Sequence, residues 1–413
     1  MTSSNHQIFR HPGPFTLESG RVLQGYHLAY HTYGVLSPAR DNVVWVFHAL
    51  TANSDPEAWW PGLIGPGCFI DPAQYFIVCV NMPGSCYGSI GPLEEMPGLG
   101  RLFYHDFPFF TIHDMVRAYR PLRDALSIRR IRIGIGGSMG GQQLLEWAVD
   151  EPDGFDYIFP IATNAWHSAW GKAFNESQRW CIEADPSWKE ESPSAGIEGM
   201  KIARSVALLS YRSYHTYDLF QSDEDVGVIG DHKASSYQHY QGEKLARRFN
   251  AFSYYQLSRS MDSHHVGRHA GATATGIPGP SGAPDVPRTL SAAAPRIPDA
   301  SRATGTPSAP GAAPRTPDTA GSAEDHEAPA AGLRAAKALG RIRAKALVIG
   351  LKSDVLFPLT EQQFLARHIP WARFTAIDSV YGHDGFLLEA EAIGRTAKEF
   401  LDAATLLVRP AGG

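Results

Sequence analysis

Ser138 lies in Gly136-Gly137-Ser138-Met139-Gly140-Gly141, directly after the apolar run Ile131-Arg132-Ile133-Gly134-Ile135. The helical pattern Gln142-Gln143-Leu144-Leu145-Glu146-Trp147-Ala148 follows at once. A strand that ends in Gly-x-Ser-x-Gly and continues into a helix reads as a nucleophile elbow. The turn is so tight that the serine needs a strained backbone, and small residues two before and two after it prevent a clash of strand with helix. The hydroxyl then stands at the C-terminal edge of a sheet and at the positive end of a helix.

A serine hydroxyl is a weak nucleophile at neutral pH and needs a base, itself oriented by a carboxylate. After such an elbow the partners follow in the order Asp or Glu, then His. Asp354, in Leu351-Lys352-Ser353-Asp354-Val355-Leu356, and His383, in Tyr381-Gly382-His383-Asp384-Gly385, each stand just beyond an apolar run. His383 Nε2 is expected to take the proton of Ser138, with Asp354 on Nδ1. The competing role for Asp354 is a turn or the cap of a helix near Thr360. An oxyanion hole needs two backbone N–H groups. Met139, after the nucleophile, supplies one, and the loop Phe47-His48-Ala49-Leu50-Thr51 offers Leu50 as the other.

These groups must be carried by a sheet. Continuous apolar runs recur at Val43–Phe47, Tyr75–Val80, Ile131–Ile135, Tyr157–Ile161, Ala346–Leu351 and Phe374–Ile377. Unbroken hydrophobicity suits strands buried on both faces. Between them lie helical spacings such as Ile112, Met115, Val116, Tyr119 and Leu122, with Thr111 and Asp114 placed as a capping box. The expectation is an α/β fold, a mostly parallel sheet with helices on both faces. Residues 1–165 form its first part and 335–413 its second, with an inserted helical cap over 166–268. Between cap and second part, 269–334 is dominated by Ala, Pro, Gly, Ser and Thr and reads as a disordered low-complexity insertion with its ends close in space.

Net charge is −5 and the pI near 6.4, so no basic field invites nucleic acid or an anionic membrane. The N-terminal residues lack a signal-peptide pattern, and no apolar run reaches membrane-spanning length. The four cysteines form no C-x-x-C pair, which argues against a metal site or redox motif and for a reducing cytoplasm.

His48-Ala49-Leu50-Thr51, the block from Asn81 to Pro92, Thr111–Ala118, Gly136–Gly141 and His383–Leu387 together resemble the signature blocks of the homoserine O-acetyltransferase family. The resemblance covers nearly the whole chain outside the insertion. It implies the α/β-hydrolase fold and acyl transfer, most often of acetyl, from acyl-CoA to the hydroxyl of L-homoserine in methionine biosynthesis. It further implies a ping-pong acyl-serine mechanism with acyl-CoA as co-substrate, no resident cofactor, and a homodimer. By resemblance Asp384 takes the acceptor's ammonium group and Arg204 its carboxylate, with Arg212 nearby; Tyr211 lines the tunnel or packs in the core. The chain departs from the family at Ala52-Asn53, where a glycine is usual, which leaves L-serine open as acceptor. Acetyl and succinyl donors both stay open. A serine esterase or thioesterase with the same triad is the alternative activity, and a binding module disabled by the insertion the alternative class.

Overall fold

Strands that are apolar on both faces need cover on both, and the chain provides it. The computed structural model describes residues 6–269 and 330–406. Among the described residues ten strands form: β1 (Gln7–His11), β2 (Phe15–Thr16), β3 (Val22–Leu23), β4 (Tyr26–Tyr33), β5 (Val43–Phe47), β6 (Phe76–Val80), β7 (Ile131–Gly137), β8 (Phe155–Ile161), β9 (Lys345–Leu351) and β10 (Ala372–Ile377). Eight of them make one sheet in the order β1-β4-β6-β5-β7-β8-β9-β10, and β2 and β3 pair separately. β1 with β4 and β4 with β6 run antiparallel; from β6 to β10 every pairing is parallel. The antiparallel edge has no counterpart in the sequence reading, because Tyr-His-Leu-Ala-Tyr-His-Thr-Tyr in β4 mixes histidines into its apolar residues.

The helices are α1 (Pro56–Trp59), α2 (Ile112–Ala125), α3 (Met139–Asp150), α4 (Ala169–Glu183), α5 (Ile197–Tyr211), α6 (Tyr214–Gln221), α7 (Lys233–Ala246), α8 (Ala251–Asp262), α9 (Ala330–Leu339), α10 (Leu359–His368), α11 (Gly385–Leu388) and α12 (Ala390–Leu406). Trp45, Val78 and Val348 on one face of the sheet share a core with Met115, Tyr119, Leu144 and Trp147 of α2 and α3. Val46, Ile135 and Ile349 on the other face pack with Ile393, Ala397 and Phe400 of α12. Thr111 caps α2 with the expected box, its hydroxyl accepting from Asp114 N–H and the Asp114 carboxylate accepting from Thr111 N–H.

Helices α4 to α8 occupy the stretch expected to be a cap, and α5 and α7 reach over the C-terminal ends of the strands. β5 lies between β6 and β7 in the sheet, so the chain moves to opposite sides after it. Phe47 and Gly136 face one another across that junction. The crevice outside strand ends at such a switch point is where α/β sheets bind ligands.

The edges of the expected insertion shift. His269 stacks on His113 with ring centroids 4.2 Å apart and pairs with Glu18, so it belongs to the packed part. At the other end α9 already begins at Ala330. Its alanine-rich sequence resembles low complexity, yet alanine is the strongest helix former and Ala335, Ala338 and Leu339 turn one face inward. The rest of that stretch, 270–329, lies outside the described residues. Its flanks do meet, since a Cβ on Gly267 would lie 2.6 Å from the Arg334 backbone. Replacing 270–329 by a short Gly-Ser link should therefore leave a cooperative thermal transition within about 2–4 °C of the parent, a loss of about 1 kcal/mol or less. Loss of the transition would show that the segment is needed for the fold.

Candidate active site

Packing at the end of β7 leaves Ser138 one conformation. Its backbone has φ 56° and ψ −127°, in a region that side chains rarely adopt. A Cβ on Gly136 would stand 2.5 Å from Gly140 C, and one on Gly140 would stand 2.1 Å from Phe47 O. Strand, helix and the end of β5 can converge only because those Cβ atoms are missing. Ser138 N–H donates to Ile161 O at 3.0 Å, which ties the elbow to β8.

The expected base comes from the far end of the chain. His383 Nδ1 and Asp354 Oδ2 are 2.7 Å apart, with both side chains buried. Asp354 Oδ1 accepts from the N–H groups of Leu356 and Phe357, both at 2.9 Å. The aspartate thus forms the turn that sequence offered as its competing role while also holding the imidazole. Phe357 stacks on the His383 ring with centroids 5.0 Å apart, and Phe386 packs at 5.3 Å. Ser138 and His383 line one cavity of about 500 Å³. No hydrogen bond joins them in this resting state; catalytic hydrogen bonds commonly tighten only in the substrate complex.

Both expected oxyanion donors sit on peptides whose carbonyls are held. Ala49 O accepts from His48 Nδ1–H at 2.9 Å and from Ala52 N–H at 3.1 Å. Ser138 O accepts from Thr163 Oγ1 at 2.8 Å and from Gln142 N–H at 3.2 Å. In a trans peptide the N–H points opposite to the C=O, so these bonds turn the N–H groups of Leu50 and Met139 the other way. Leu50 lines the cavity. Met139 begins α3, where a helix leaves its N–H groups unpaired. His48 was not singled out from sequence, and only its place at the strand end marked it. Its Nε2 accepts from Met82 N–H at 3.1 Å, which puts the ring proton on Nδ1. Complete burial pushes its pKa down to about 4, so it stays neutral.

Charge is unevenly spread in the cavity. Arg204, Arg212, Lys244 and Arg248 line it against a single carboxylate, Asp384. Asp384 Oδ2 contacts Arg212 Nε at 2.9 Å, an ion pair whose N–H is not aimed at the oxygen. Arg204, the arginine expected to grip a carboxylate, lies 5.3 Å over the Tyr211 ring. Among the described residues neither Arg204 nor Lys244 has a carboxylate partner. Tyr211 lines the same cavity and packs on His383 at 5.7 Å, so its two sequence readings both hold. Gln241, Lys244, Leu245 and Arg248 were missed, although their spacing of three, four and seven places them on one helical face. Ala52 and Asn53, the departure from the resembling family, line the cavity too.

Comparison with known proteins identifies the fold and the family. Residues 42–180 match the α/β-hydrolase-fold family model. The chain is 38% identical over 394 residues to the homoserine O-acetyltransferase of Cyclobacterium marinum, covering 95% of this chain and 94% of that one. It is 35% identical over 396 residues to that of Chlorobium luteolum, covering 94% and 92%. Among solved structures, homoserine O-acetyltransferase from Bacillus anthracis superposes with a TM-score of 0.74 at 21% identity, over 96% of this chain and 97% of that one. Esterase E22 superposes with a TM-score of 0.70 at 18% identity, over 95% and 99%. The fold is therefore common to transferases and hydrolases, and the side chains in the cavity must distinguish them.

Ser138→Ala should abolish covalent labelling by a fluorophosphonate while leaving the melting temperature near that of the parent. Asp354→Asn should lower kcat by about 10⁴-fold, as loss of the imidazole's orienting carboxylate does elsewhere. Retained labelling in the first variant, or near-normal turnover in the second, would reject the assignment.

Proposed function

The chain belongs to the homoserine O-acetyltransferase family, and from that premise we propose that it moves an acetyl group from acetyl-CoA to the side-chain hydroxyl of L-homoserine through an acyl-serine. The observation that carries the reading is one cavity holding Ser138 and His383 beside Asp384, Arg212 and Arg204. A simple ester has no use for charges of both signs next to the nucleophile, whereas an amino acid carries an ammonium and a carboxylate. Asp384 faces the ammonium in this reading. An arginine fork suits the carboxylate, and Arg204, unlike Arg212, has no carboxylate partner among the described residues.

The chemistry runs in two halves. His383 Nε2 takes the proton of Ser138 Oγ as the oxygen attacks the thioester carbon. The N–H groups of Leu50 and Met139 receive the negative charge that develops on the carbonyl oxygen. As the tetrahedral centre collapses, the C–S bond breaks and the proton passes from His383 to the leaving thiolate. The homoserine hydroxyl then gives its proton to His383 and attacks the acetyl carbon. Collapse breaks the bond to Ser138 Oγ, which regains the proton from His383. Asp354 holds the Nδ1–H throughout and stabilises each transient imidazolium.

Charge supports the donor. Four cations against one carboxylate favour a ligand rich in phosphate, as coenzyme A is. No resident cofactor enters this scheme, and the pathway that fits it is methionine biosynthesis. Leu209, Tyr214, Leu219 and Phe220 stand exposed on α5 and α6, an apolar surface that supports assembly of two copies through the cap. Among the described residues no helix is long and apolar enough to cross a membrane. A cytoplasmic location is part of the same proposal and is supported by four free cysteines.

Acetyl-CoA given to the purified protein should release thiol faster when homoserine is added, with O-acetylhomoserine seen by mass. Faster release with serine alone would move the acceptor assignment, and release indifferent to every amino acid would make the protein a hydrolase. Asp384→Asn should raise the KM for the amino acid about tenfold or more with little change for acetyl-CoA; equal effects would take Asp384 out of the acceptor site. Lys244→Ala should raise the KM for acetyl-CoA and flatten its dependence on salt, because one screened charge has been removed. An unchanged salt dependence would place the donor elsewhere.

A further inference from the structure

The two oxyanion donors sit on different segments. Leu50 is on the loop after β5 and Met139 is on the first residue of α3. An oxyanion hole is effective only if its donors are held at the spacing of the transition state, so something must fix the loop to the helix. A single side-chain amide spans that gap. Gln143 Nε2 donates to His48 O at 3.3 Å and to Met139 O at 3.2 Å, with Met82 Sδ at 3.1 Å completing its surroundings. Gln143 Oε1 accepts from Tyr119 Oη–H at 2.8 Å. The orientation of the amide is settled by its neighbours: turned over, its oxygen would face two carbonyl oxygens. Burial raises the Tyr119 pKa well above that of a free phenol, so its hydroxyl keeps the proton that the arrangement requires.

We propose that Gln143 is a positioning residue that staples the oxyanion loop to the nucleophile helix and so fixes the separation of the two N–H donors. The residue touches no substrate, since it lies beneath the cavity wall with 1% exposure. Its effect is exerted through the peptides it holds. His48 O lies one peptide before the Ala49–Leu50 peptide, and Met139 O is one peptide after the Met139 N–H. Both donors are therefore one rigid unit away from the staple. The inference rests on the reading that Leu50 and Met139 form the hole, and it adds what keeps them in register.

The test is Gln143→Leu, which keeps the volume and removes the staple. Methylboronic acid serves as probe, because its adduct with Ser138 places an oxygen where the oxyanion forms. The variant should lose about 10- to 100-fold in kcat, the loss expected when oxyanion donors move out of place. The KM for acetyl-CoA and homoserine should change by less than about threefold, and boronate affinity should fall by the same factor as kcat/KM. A folded variant with kcat within about twofold of the parent, or with its whole loss in KM, overturns the proposal. If Gln143→Leu does not fold, Gln143→Met decides. That variant keeps an unbranched side chain but has no N–H donor for the His48 and Met139 carbonyls; it should lower kcat and boronate affinity together, and leaving both unchanged overturns the proposal. Parent protein that binds the boronate but acetylates no amino acid removes the proposed activity instead. The ratio of boronate affinities then decides for or against Gln143.

Discussion

The close approach of three backbones at Ser138 is the constraint on which the rest of the molecule depends. The end of β5, the end of β7 and the start of α3 meet where a Cβ on Gly140 would lie 2.1 Å from Phe47 O. Next to it, a Cβ on Gly137 would be 2.3 Å from the Phe386 ring and one on Gly141 2.6 Å from Thr163. Gly140 therefore lets the end of β5 come within reach of the helix behind Ser138, while Gly137 and Gly141 make room for Phe386 and Thr163. Without that contact no side-chain amide could span the two segments, and the two N–H donors would not share a site. The strained backbone of Ser138 persists because everything around it is packed and hydrogen-bonded.

The same crowding connects the two ends of the chain. Phe386 fills the space that Gly137 vacates, and it packs on His383. Its carbonyl also accepts from Trp60 Nε1 at 2.9 Å. The histidine loop is thus seated against the elbow by apolar contact and against the N-terminal half by a buried hydrogen bond. Asp354 contributes in two ways, forming its own turn through Leu356 and Phe357 and orienting the imidazole with its second oxygen. One carboxylate with both oxygens engaged has little freedom to release the ring.

Sequence made the arrangement of the candidate site legible because it is tied to local patterns. Gly-x-Ser-x-Gly between an apolar run and a helical pattern reads as a sharp turn from strand to helix, and the order Ser, Asp, His follows the order of strands that carry them. The central parallel strands were legible from unbroken apolar runs. β1 and β4 were not, since an edge that faces water on one side mixes His and Tyr into its pattern. The boundary at Ala330 was hidden because alanine serves both helices and low-complexity stretches. Arg212 illustrates a deeper limit. Its contact with Asp384 joins residues far apart in the chain and depends on how the cap descends, which no local pattern encodes. Gln143 was quoted as a helical residue and nothing more, because a staple is defined by two carbonyls that only the fold brings together.

The likeness to both a transferase and an esterase sharpens what the cavity must achieve. An acyl-serine is attacked by whichever hydroxyl reaches it first, and water outnumbers any amino acid. The transferase must therefore gain its advantage by orientation, which can be worth many powers of ten when the attacking group is held in line. A zwitterion can be held at two points by opposite charges, leaving its hydroxyl little choice of direction; water offers no such handles. In the proposed reading Asp384, adjacent in sequence to His383, places one of those points within a residue of the proposed base. The acceptor's charged end and its reacting end are then measured from the same short loop. On this argument the discrimination against water lies in a fixed distance between the base and the carboxylate beside it, more than in any barrier to solvent.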